Sequence, residues 1–326
     1  MQKSDDKLIV VTGGAGFIGS GVIRYLNDQG RQNIVVVDEL GDTDKWKNLV
    51  GKSYYDILDK KDLNNWLVDR QNDIKGFIHL GACSDTMETD ASYLLENNYR
   101  FSVNLAEYAL KHGHRFIYAS SAATYGDGLQ GFSDNHQEID HLKPLNMYGY
   151  SKHIFDLWLK RQGVLDKVVG LKYFNVFGPN EWHKGRMSSA VVHLLKQAQQ
   201  EGVVRLFKSS DKQYGDGDQV RDFLYVKDAA AMTCAFLDNS FGGLFNIGFG
   251  KPRTWNDLAK SLIKALGKDI PIEYIPMPQQ LVGKYQNYTC ADMSKHDQLG
   301  LTKAQWPLEK AVEDYVSNYL LTETTW

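Results

Sequence analysis

The chain of 326 residues is long enough to bury a large hydrophobic core in one domain or in two. Hydrophobic residues make up 43% and charged residues 24% of the sequence, which is ordinary for a soluble globular protein. The formal net charge of -3 argues against a dedicated nucleic-acid binder, because such proteins carry a clustered basic excess.

The beginning of the sequence and the cysteines indicate where the protein works. Residues 1–7 are polar and lead straight into an apolar run, so we expect no signal peptide, and no stretch is apolar for long enough to span a bilayer. Cys83, Cys234 and Cys290 match no metal-binding or disulfide spacing. We therefore expect a soluble, cytoplasmic protein with free thiols, no metal and no membrane or nucleic-acid partner.

Residues 8–20 predict a buried strand, a tight turn and the start of a helix. An apolar, mostly β-branched run is followed by Gly13, Gly16 and Gly19, which are separated by two residues each, and then by helically spaced apolar residues. In this context Gly13 allows the turn, Gly16 lets the backbone approach a pyrophosphate, and Gly19 lets the helix pack on the strand. The pattern predicts a dinucleotide-binding turn.

A second buried strand, residues 33–38, ends in a carboxylate. Asp38 lies 19 residues after Gly19, where a Rossmann fold places the acid that binds the adenine ribose. Glu39 adds a second negative charge, which disfavours a 2′-phosphate and favours NAD, whereas Lys45 opposes that preference. The predicted coenzyme is NADP or NAD, and the choice between them stays open.

Strands and helices continue to alternate, which predicts a Rossmann-type, doubly wound parallel α/β sheet. The expected strands are residues 53–56, 76–80, 115–121 and 168–174, and the expected helices lie around residues 63–67, 91–111 and 148–159. Ligands bind beyond the carboxyl ends of such strands, so we expect one loop to contact the coenzyme through its backbone, namely Leu80, Gly81, Ala82, Cys83 and Ser84. His79 and Cys83 are interpreted as packing residues.

The pattern changes after residue 175. The later elements are a helix at 187–200, a strand at 203–207, a polar loop at 211–218 and helices at 254–266 and 307–321. They predict a smaller C-terminal α+β substrate domain formed by residues 176–219 and 249–326. Residues 1–175, together with about 220–248, form the predicted dinucleotide-binding domain.

Tyr148 and Lys152 lie four residues apart on a predicted helix, which places them one turn apart on the same face. A nearby ammonium stabilises a phenolate, so we expect Lys152 to lower the pKa of Tyr148 and to make the pair a general acid/base. Ser121, in the small-residue turn after the strand at 115–121, is positioned to hold the same substrate hydroxyl.

These motifs resemble the extended short-chain dehydrogenase/reductase superfamily, and the likeness runs from Leu8 to about Tyr319. Within that superfamily the chain is similar to the ADP-L-glycero-D-manno-heptose 6-epimerases. The stretches that show this similarity are residues 81–84, 144–152, 173–179 and 183–185. The last of these, His183-Lys184-Gly185, discriminates best.

The resemblance implies that Tyr148 and Lys184 are the two acid/base groups. An epimerase needs two, because hydride leaves one face of the sugar carbon and returns to the other face of the ketone, so the oxygen occupies two positions. Lys184 close to Lys152 would also lose its proton more easily, since like charge and desolvation both favour the neutral amine.

The resemblance also implies the ligand contacts. The residues expected to contact the coenzyme are Phe17, Ile18, Asp38, Lys45, Lys60, Asn97, Lys152 and Val176. The residues expected to contact the substrate are Asn175, His193, Phe207, Lys208, Ser209, Ser210, Arg221 and Tyr285. Arg221 is the candidate for a bidentate phosphate contact, and pairing with the neighbouring Asp222 is the alternative.

The chain departs from the family pattern at three places. Arg186 stands where other members have a small hydroxyl residue, and we include it in the substrate site as an extra cation near the diphosphate. Glu39 replaces an amide at the ribose position, which weakens an NADP preference. The loop at 211–218 is longer than usual.

Other functions remain open at this point. A different nucleotide-sugar epimerase or a reductase would use the same fold, as would a non-catalytic coenzyme-binding protein. A 4,6-dehydratase is disfavoured because Thr124 is followed by Tyr125 and Gly126 rather than by an acidic pair. The joint presence of Ser121, Tyr148 and Lys152 favours an enzyme.

The resemblance implies an ADP-heptose substrate and one tightly bound NADP or NAD per subunit. It also implies a homo-oligomer, a pentamer in the family, and a role in building the heptose of bacterial lipopolysaccharide.

Overall fold

The computed structural model describes residues 7–279 and 286–326. Its strands are β1 (Leu8–Thr12), β2 (Ile34–Asp38), β3 (Asp56–Asp59), β4 (Ile74–His79), β5 (Arg115–Ser121), β6 (Val169–Tyr173), β7 (Asn175–Phe177), β8 (Val204–Phe207), β9 (Val220–Arg221), β10 (Phe223–Tyr225), β11 (Gly243–Ile247), β12 (Arg253–Thr254) and β13 (Ile272–Ile275).

The α-helices are α1 (Phe17–Asp28), α2 (Leu63–Trp66), α3 (Ala91–Leu94), α4 (Phe101–Lys111), α5 (Met147–Arg161), α6 (Ala190–Gln200), α7 (Val226–Cys234), α8 (Trp255–Leu266), α9 (Ser294–Gln298) and α10 (Leu308–Tyr315). Short 3-10 turns cover Asp44–Leu49, Lys60–Asp62, Ala122–Tyr125, Ile139–His141, Leu165–Lys167 and Trp182–Met187. Two π-helical segments cover Leu95–Arg100 and Val316–Leu320.

Seven strands form the central sheet in the order β11-β6-β5-β4-β1-β2-β3. Every neighbouring pair in it is parallel, and Val10 of β1 lies between Val35 of β2 and Phe77 of β4. The prediction of a doubly wound parallel α/β sheet is confirmed. Its physical basis is the near-continuous Val and Ile runs, which suit strands buried on both faces.

Helices cover both faces of this sheet. Val10 packs on one side, in the core that holds Leu105 of α4 and Phe155 of α5. Ile9 packs on the other side, in the core that holds Val22 of α1 and further residues of α7. Because successive side chains of a strand point to opposite faces, one apolar run supplies both cores.

The second half of the chain builds a separate core. Residues of α6, α8 and α10 pack there against β8, and three two-stranded sheets pair β8 with β13, β7 with β10 and β9 with β12. β11 returns to the central sheet beside β6, and α7 packs on α1. The domain boundaries given above stay a prediction.

Several expected elements differ in their bounds. The strand expected at 53–56 is wrong, because the β3 residues that pair with β2 begin at Asp56. β3 is an edge strand with alternate residues exposed, so it tolerates the polar residues Asp56 and Asp59. The helix expected at 91–111 contains the π-helical turn Leu95–Arg100. The helix expected from residue 187 begins at Ala190, since the 3-10 turn occupies the residues before it.

A buried ion pair joins three elements of the first core. Lys172 of β6 lies 2.8 Å from a carboxylate oxygen of Asp156 of α5, and both side chains are fully buried. The Asp156 carboxylate also accepts hydrogen bonds from Tyr118 and Ser120 of β5, and the ammonium donates to Thr124. The low local dielectric makes this network strong only while every member is satisfied.

Replacement of Lys172 by Met should therefore destabilise the fold strongly. It leaves the Asp156 carboxylate buried without its cation, which costs about 3–5 kcal/mol in the free energy of unfolding. Urea unfolding of Lys172→Met measures this loss, and Lys260→Met, at an exposed position of α8, is the matched control. Equal unfolding midpoints for the two variants would contradict the assignment.

Candidate active site

A cleft of about 650 Å³ opens beyond the carboxyl ends of β1, β4, β5 and β6. Predicted coenzyme residues line it, namely Gly13, Gly16, Phe17, Ile18, Gly19, Asp38, Lys45, Leu80, Gly81, Ala82, Cys83, Ser84, Lys152 and Val176. The predicted reactive residues line it too, namely Ser121, Tyr148, Lys152 and Lys184, together with Asn175 of the substrate set. This is the place where open α/β sheets bind ligands.

The glycine turn is shaped by close backbone contacts. Gly13 has φ +67°, and a Cβ there would lie 2.6 Å from the backbone nitrogen of Gly81. A Cβ at Gly19 would lie 2.1 Å from the carbonyl oxygen of Gly13. Among the described residues no side chain caps α1, and an uncapped helix N-terminus of this kind suits an anionic group. The turn fits a dinucleotide pyrophosphate.

Charges are balanced at the ribose end of the cleft. Asp38 accepts a hydrogen bond from the backbone N–H of Ala15 and lies 2.7 Å from Lys45. Glu39 pairs with Lys60, and this lysine holds the pKa of the Glu39 carboxyl below its usual range. Each acid is matched by a lysine, so the local net charge does not decide between NAD and NADP.

The π-helical turn Leu95–Arg100 places two amides beside the cleft. Asn98 is buried and bonds both the backbone N–H and the carbonyl of Cys83, and also the hydroxyl of Ser151 on α5. Asn97 accepts a hydrogen bond from Lys60. π-helical turns are frequent at functional sites because they redirect side chains. Here the turn fixes the loop that carries residues 80–84 relative to α5.

Ser121 and Tyr148 both line the cleft. Asn146 caps α5, since its side chain accepts from the N–H of Gly149, and this sets the start of the helix at Tyr148. Burial raises the pKa of Tyr148, and the nearby Ser121 hydroxyl opposes that shift. The expected lowering of this pKa is wrong, because burial disfavours the charged phenolate.

Lys152 lies one helical turn further along α5 and is 4% exposed. Burial lowers the pKa of its ammonium to about 8, and the carboxylate of Asp156 opposes the shift. The buried ion pair described above thus lies directly behind the reactive face of α5.

Lys184 reaches the same cleft from the 3-10 turn Trp182–Met187. Gly185 has φ +54°, which lets the chain turn sharply after it. The Lys184 ammonium lies 5.3 Å from the ring centroid of Phe17. Burial lowers the pKa of Lys184, and Glu181 opposes this. A lysine in such a setting is closer to its neutral, basic form than an exposed one.

The predicted substrate residues are more dispersed. A second cavity of about 250 Å³ adjoins the cleft and shares Asn175 and Lys184 with it. Arg186 is exposed and pairs with Asp85 across the rim of the cleft. His193 Nε2 lies 3.2 Å from the carbonyl oxygen of Arg186.

The remaining substrate residues that the structure describes line neither cavity. Arg221 is buried with its guanidinium 5.5 Å from the ring centroid of Trp255. The neighbouring Asp222 is held instead by backbone N–H groups of residues 249, 250 and 291. Phe207 is the last residue of β8, and Lys208, Ser209 and Ser210 follow it. Tyr285 lies outside the described residues.

Several cleft residues were not expected from the sequence. Asp85, Thr86, His183 and Met187 line it. Asn48, which is buried, donates to the carbonyls of Ala15 and Asn180 and so ties the glycine turn to the loop of Lys184. A single asparagine in a polar stretch has no sequence signal, because only the fold brings its partners together.

The fold and the cleft define a nicotinamide-dependent enzyme of the short-chain dehydrogenase/reductase type. The chain belongs to the NAD dependent epimerase/dehydratase family, whose model matches residues 9–248.

Comparison with known proteins narrows this further. The chain is 49% identical over 316 residues to the ADP-L-glycero-D-manno-heptose-6-epimerase of Nitratidesulfovibrio vulgaris, covering 96% of this chain and 98% of the relative. It is 44% identical to the enzyme of that name from Fusobacterium nucleatum, covering 98% and 100%. The crystal structure of the Helicobacter pylori ADP-L-glycero-D-manno-heptose-6-epimerase superposes with a TM-score of 0.79 at 27% identity, covering 98% of both chains.

Two further observations concern membranes and metal ions. Within residues 7–279 and 286–326, no helix is long and apolar enough to cross a membrane. Over the same residues no cluster of three His, Cys, Asp or Glu side chains has the arrangement of a metal site.

Gly13→Ala should abolish coenzyme retention. The new methyl group must displace the backbone of Gly81 and hence the turn that holds the pyrophosphate. Gly30→Ala is the matched control, because Gly30 has a similar φ of +77° with nothing within 4 Å of its Cβ position. We expect Gly30→Ala to lose only about 1–2 kcal/mol of stability. Coenzyme bound per chain after gel filtration distinguishes the variants, and full occupancy in Gly13→Ala would contradict the model of the turn.

Proposed function

We propose that the chain is an isomerase that converts ADP-D-glycero-D-manno-heptose to its L-glycero epimer at C6″ through a transient ketone. The observation that carries this proposal is the position of Tyr148 and Lys184, two acid/base groups from distant parts of the chain, in one cleft with the predicted coenzyme residues. The relatives' names support the choice of substrate.

Tyr148 is the acid/base group for one orientation of the C6″ oxygen. Its phenolate can take the proton of the substrate hydroxyl as that carbon is oxidised and return it later. Ser121, in the same cleft, holds the substrate oxygen in line. Lys152 lies buried one helical turn along α5 in that cleft.

Lys184 serves the opposite orientation. After the ketone forms, its oxygen must approach the chain from the other side before the carbon is reduced, and Tyr148 cannot reach both positions. Burial lowers the pKa of Lys184, which makes this amine a better proton acceptor than an exposed lysine. A bound nicotinamide supplies the hydride acceptor that returns the hydride within the same turnover.

Retention of the coenzyme follows from the shape of the cleft. The turn of Gly13 and the loop of Gly81 enclose the pyrophosphate position, and the ion pair between Arg186 and Asp85 spans the rim. We assign Asn175, His193 and Arg221 to the substrate, with the residues after β8 and Tyr285 on the nucleotide side. We further propose a cytoplasmic homo-oligomer, as the family resemblance implies.

The first test is conversion without added coenzyme. Purified protein incubated with ADP-D-glycero-D-manno-heptose should form the L-glycero epimer with no build-up of reduced coenzyme, because oxidation and reduction occur in one turnover. Chromatography of the nucleotide sugars together with nicotinamide absorbance measures this. A requirement for stoichiometric NADPH would indicate a reductase.

Tyr148→Phe and Lys184→Met should each slow epimerisation by about 10²–10⁴-fold, the usual contribution of a general acid/base. Tyr150→Phe and Lys196→Met are matched controls, since both positions are exposed. All four variants should retain coenzyme. Full activity in Lys184→Met would remove that lysine from the mechanism.

A further inference from the structure

We propose that segment 315–326 positions Lys184 by holding Asn180 and Glu181, the two residues directly before the turn that carries this lysine. This inference rests on the proposed role of Lys184 as the second acid/base group. It assigns Tyr315 and Trp326, far from the cleft in sequence, as positioning residues for the reaction.

Trp326 holds Asn180 through two hydrogen bonds. Its backbone N–H donates to Oδ1 of Asn180 at 2.9 Å, and its backbone oxygen accepts from Nδ2 at 3.2 Å. Asn180 is fully buried and has a positive φ of +78°, a conformation in which asparagine is tolerated. Its carbonyl accepts from Asn48, so the residue is bound on its side chain and on its backbone.

Tyr315 holds Glu181. Its hydroxyl donates to Oε1 of Glu181 at 2.9 Å, and Ser189 donates to the same carboxylate from its hydroxyl and its backbone N–H. The carbonyl of Glu181 accepts from the backbone N–H of Lys184 at 3.0 Å. Glu181 and Lys184 line the second cavity together, and the carboxylate opposes the lowering of the Lys184 pKa.

Trp326 is itself held firmly in place. A Cβ built at Gly21 of α1 would lie 3.2 Å from its ring, so the indole packs directly on that helix. The ammonium of Lys227 lies 5.7 Å from the same ring centroid and also faces the rings of Tyr225, Trp306 and Tyr319 at 5.0–5.6 Å. The cation–π contact with Lys227 therefore helps to hold the indole of Trp326 in place.

The turn that follows Asn180 and Glu181 needs such support. Gly185 gives the turn backbone freedom directly after Lys184. The residues directly before Lys184 therefore have to define where its ammonium lies. A displacement of about 1 Å in a reacting group costs on the order of 100-fold in rate. Segment 315–326 therefore acts on the reaction by setting the position of the Lys184 ammonium. None of its residues is among the described residues that line the cleft.

The experiment disrupts the contact between Trp326 and Asn180 from each side. Trp326→Ala removes the indole that anchors the segment, and Asn180→Gly removes the amide while glycine keeps the positive φ without strain. Single-turnover formation of reduced nicotinamide is measured with each of the two heptose epimers. Lys184→Met identifies the epimer whose oxidation uses Lys184.

For that epimer we expect both variants to slow coenzyme reduction by about 10- to 100-fold. With the other epimer, which uses Tyr148, the rate should stay within about twofold. The double variant should be no slower than the slower single one, because both changes break one connection. Trp326→Phe should restore most of the rate, since an aromatic ring remains.

Trp66→Ala is the matched control, because this tryptophan of α2 packs on Arg70 away from the cleft. Thermal unfolding and coenzyme content establish that each variant is folded, and Tyr315→Phe, which removes one hydroxyl, is the milder second variant. Equal slowing with both epimers, or no slowing with either, would overturn the positioning role. Failure of the unmodified protein to interconvert the two epimers would instead overturn the proposed function.

Discussion

The backbone contact between Gly13 and Gly81 is the constraint on which the rest of the site depends. It brings the ends of β1 and β4 so close that no Cβ fits between them. The start of α1 and the loop after β4 are thereby placed on two sides of one ligand position. Because the ligand is then held at a set depth in the cleft, every reactive group must be placed relative to it with similar accuracy.

Each of the two cleft lysines, Lys152 and Lys184, has a buried carboxylate three or four residues away in the chain. Asp156 follows Lys152 by one turn, and Glu181 precedes Lys184 by three residues. In both cases burial lowers the pKa of the amine, and the carboxylate acts against that shift. The two acids are in turn satisfied by hydroxyl and amide donors from other elements. The pKa values of both lysines thus depend on packing well beyond the cleft itself.

Local patterns predicted much of this arrangement. The glycine spacing predicted the turn between β1 and α1, and the four-residue interval between Tyr148 and Lys152 predicted that both side chains face one side of α5, where both line the cleft. Predictions failed where burial or pairing decided the outcome. The pKa of Tyr148 is raised by burial. The sequence prediction missed this because a helix pattern does not reveal how deeply a side chain is buried. The edge strand β3 was shifted because its pairing with β2, rather than its aromatic content, sets its register.

The sequence by itself determined the parallel sheet and the glycine turn before α1, because these depend on periodicity and on contacts between near neighbours in the chain. The tertiary structure alone decided how Lys184 is held. Asn48, Tyr315 and Trp326 lie more than a hundred residues from the turn they support. Such contacts leave no local signal, since their geometry exists only after the two halves of the chain have packed together.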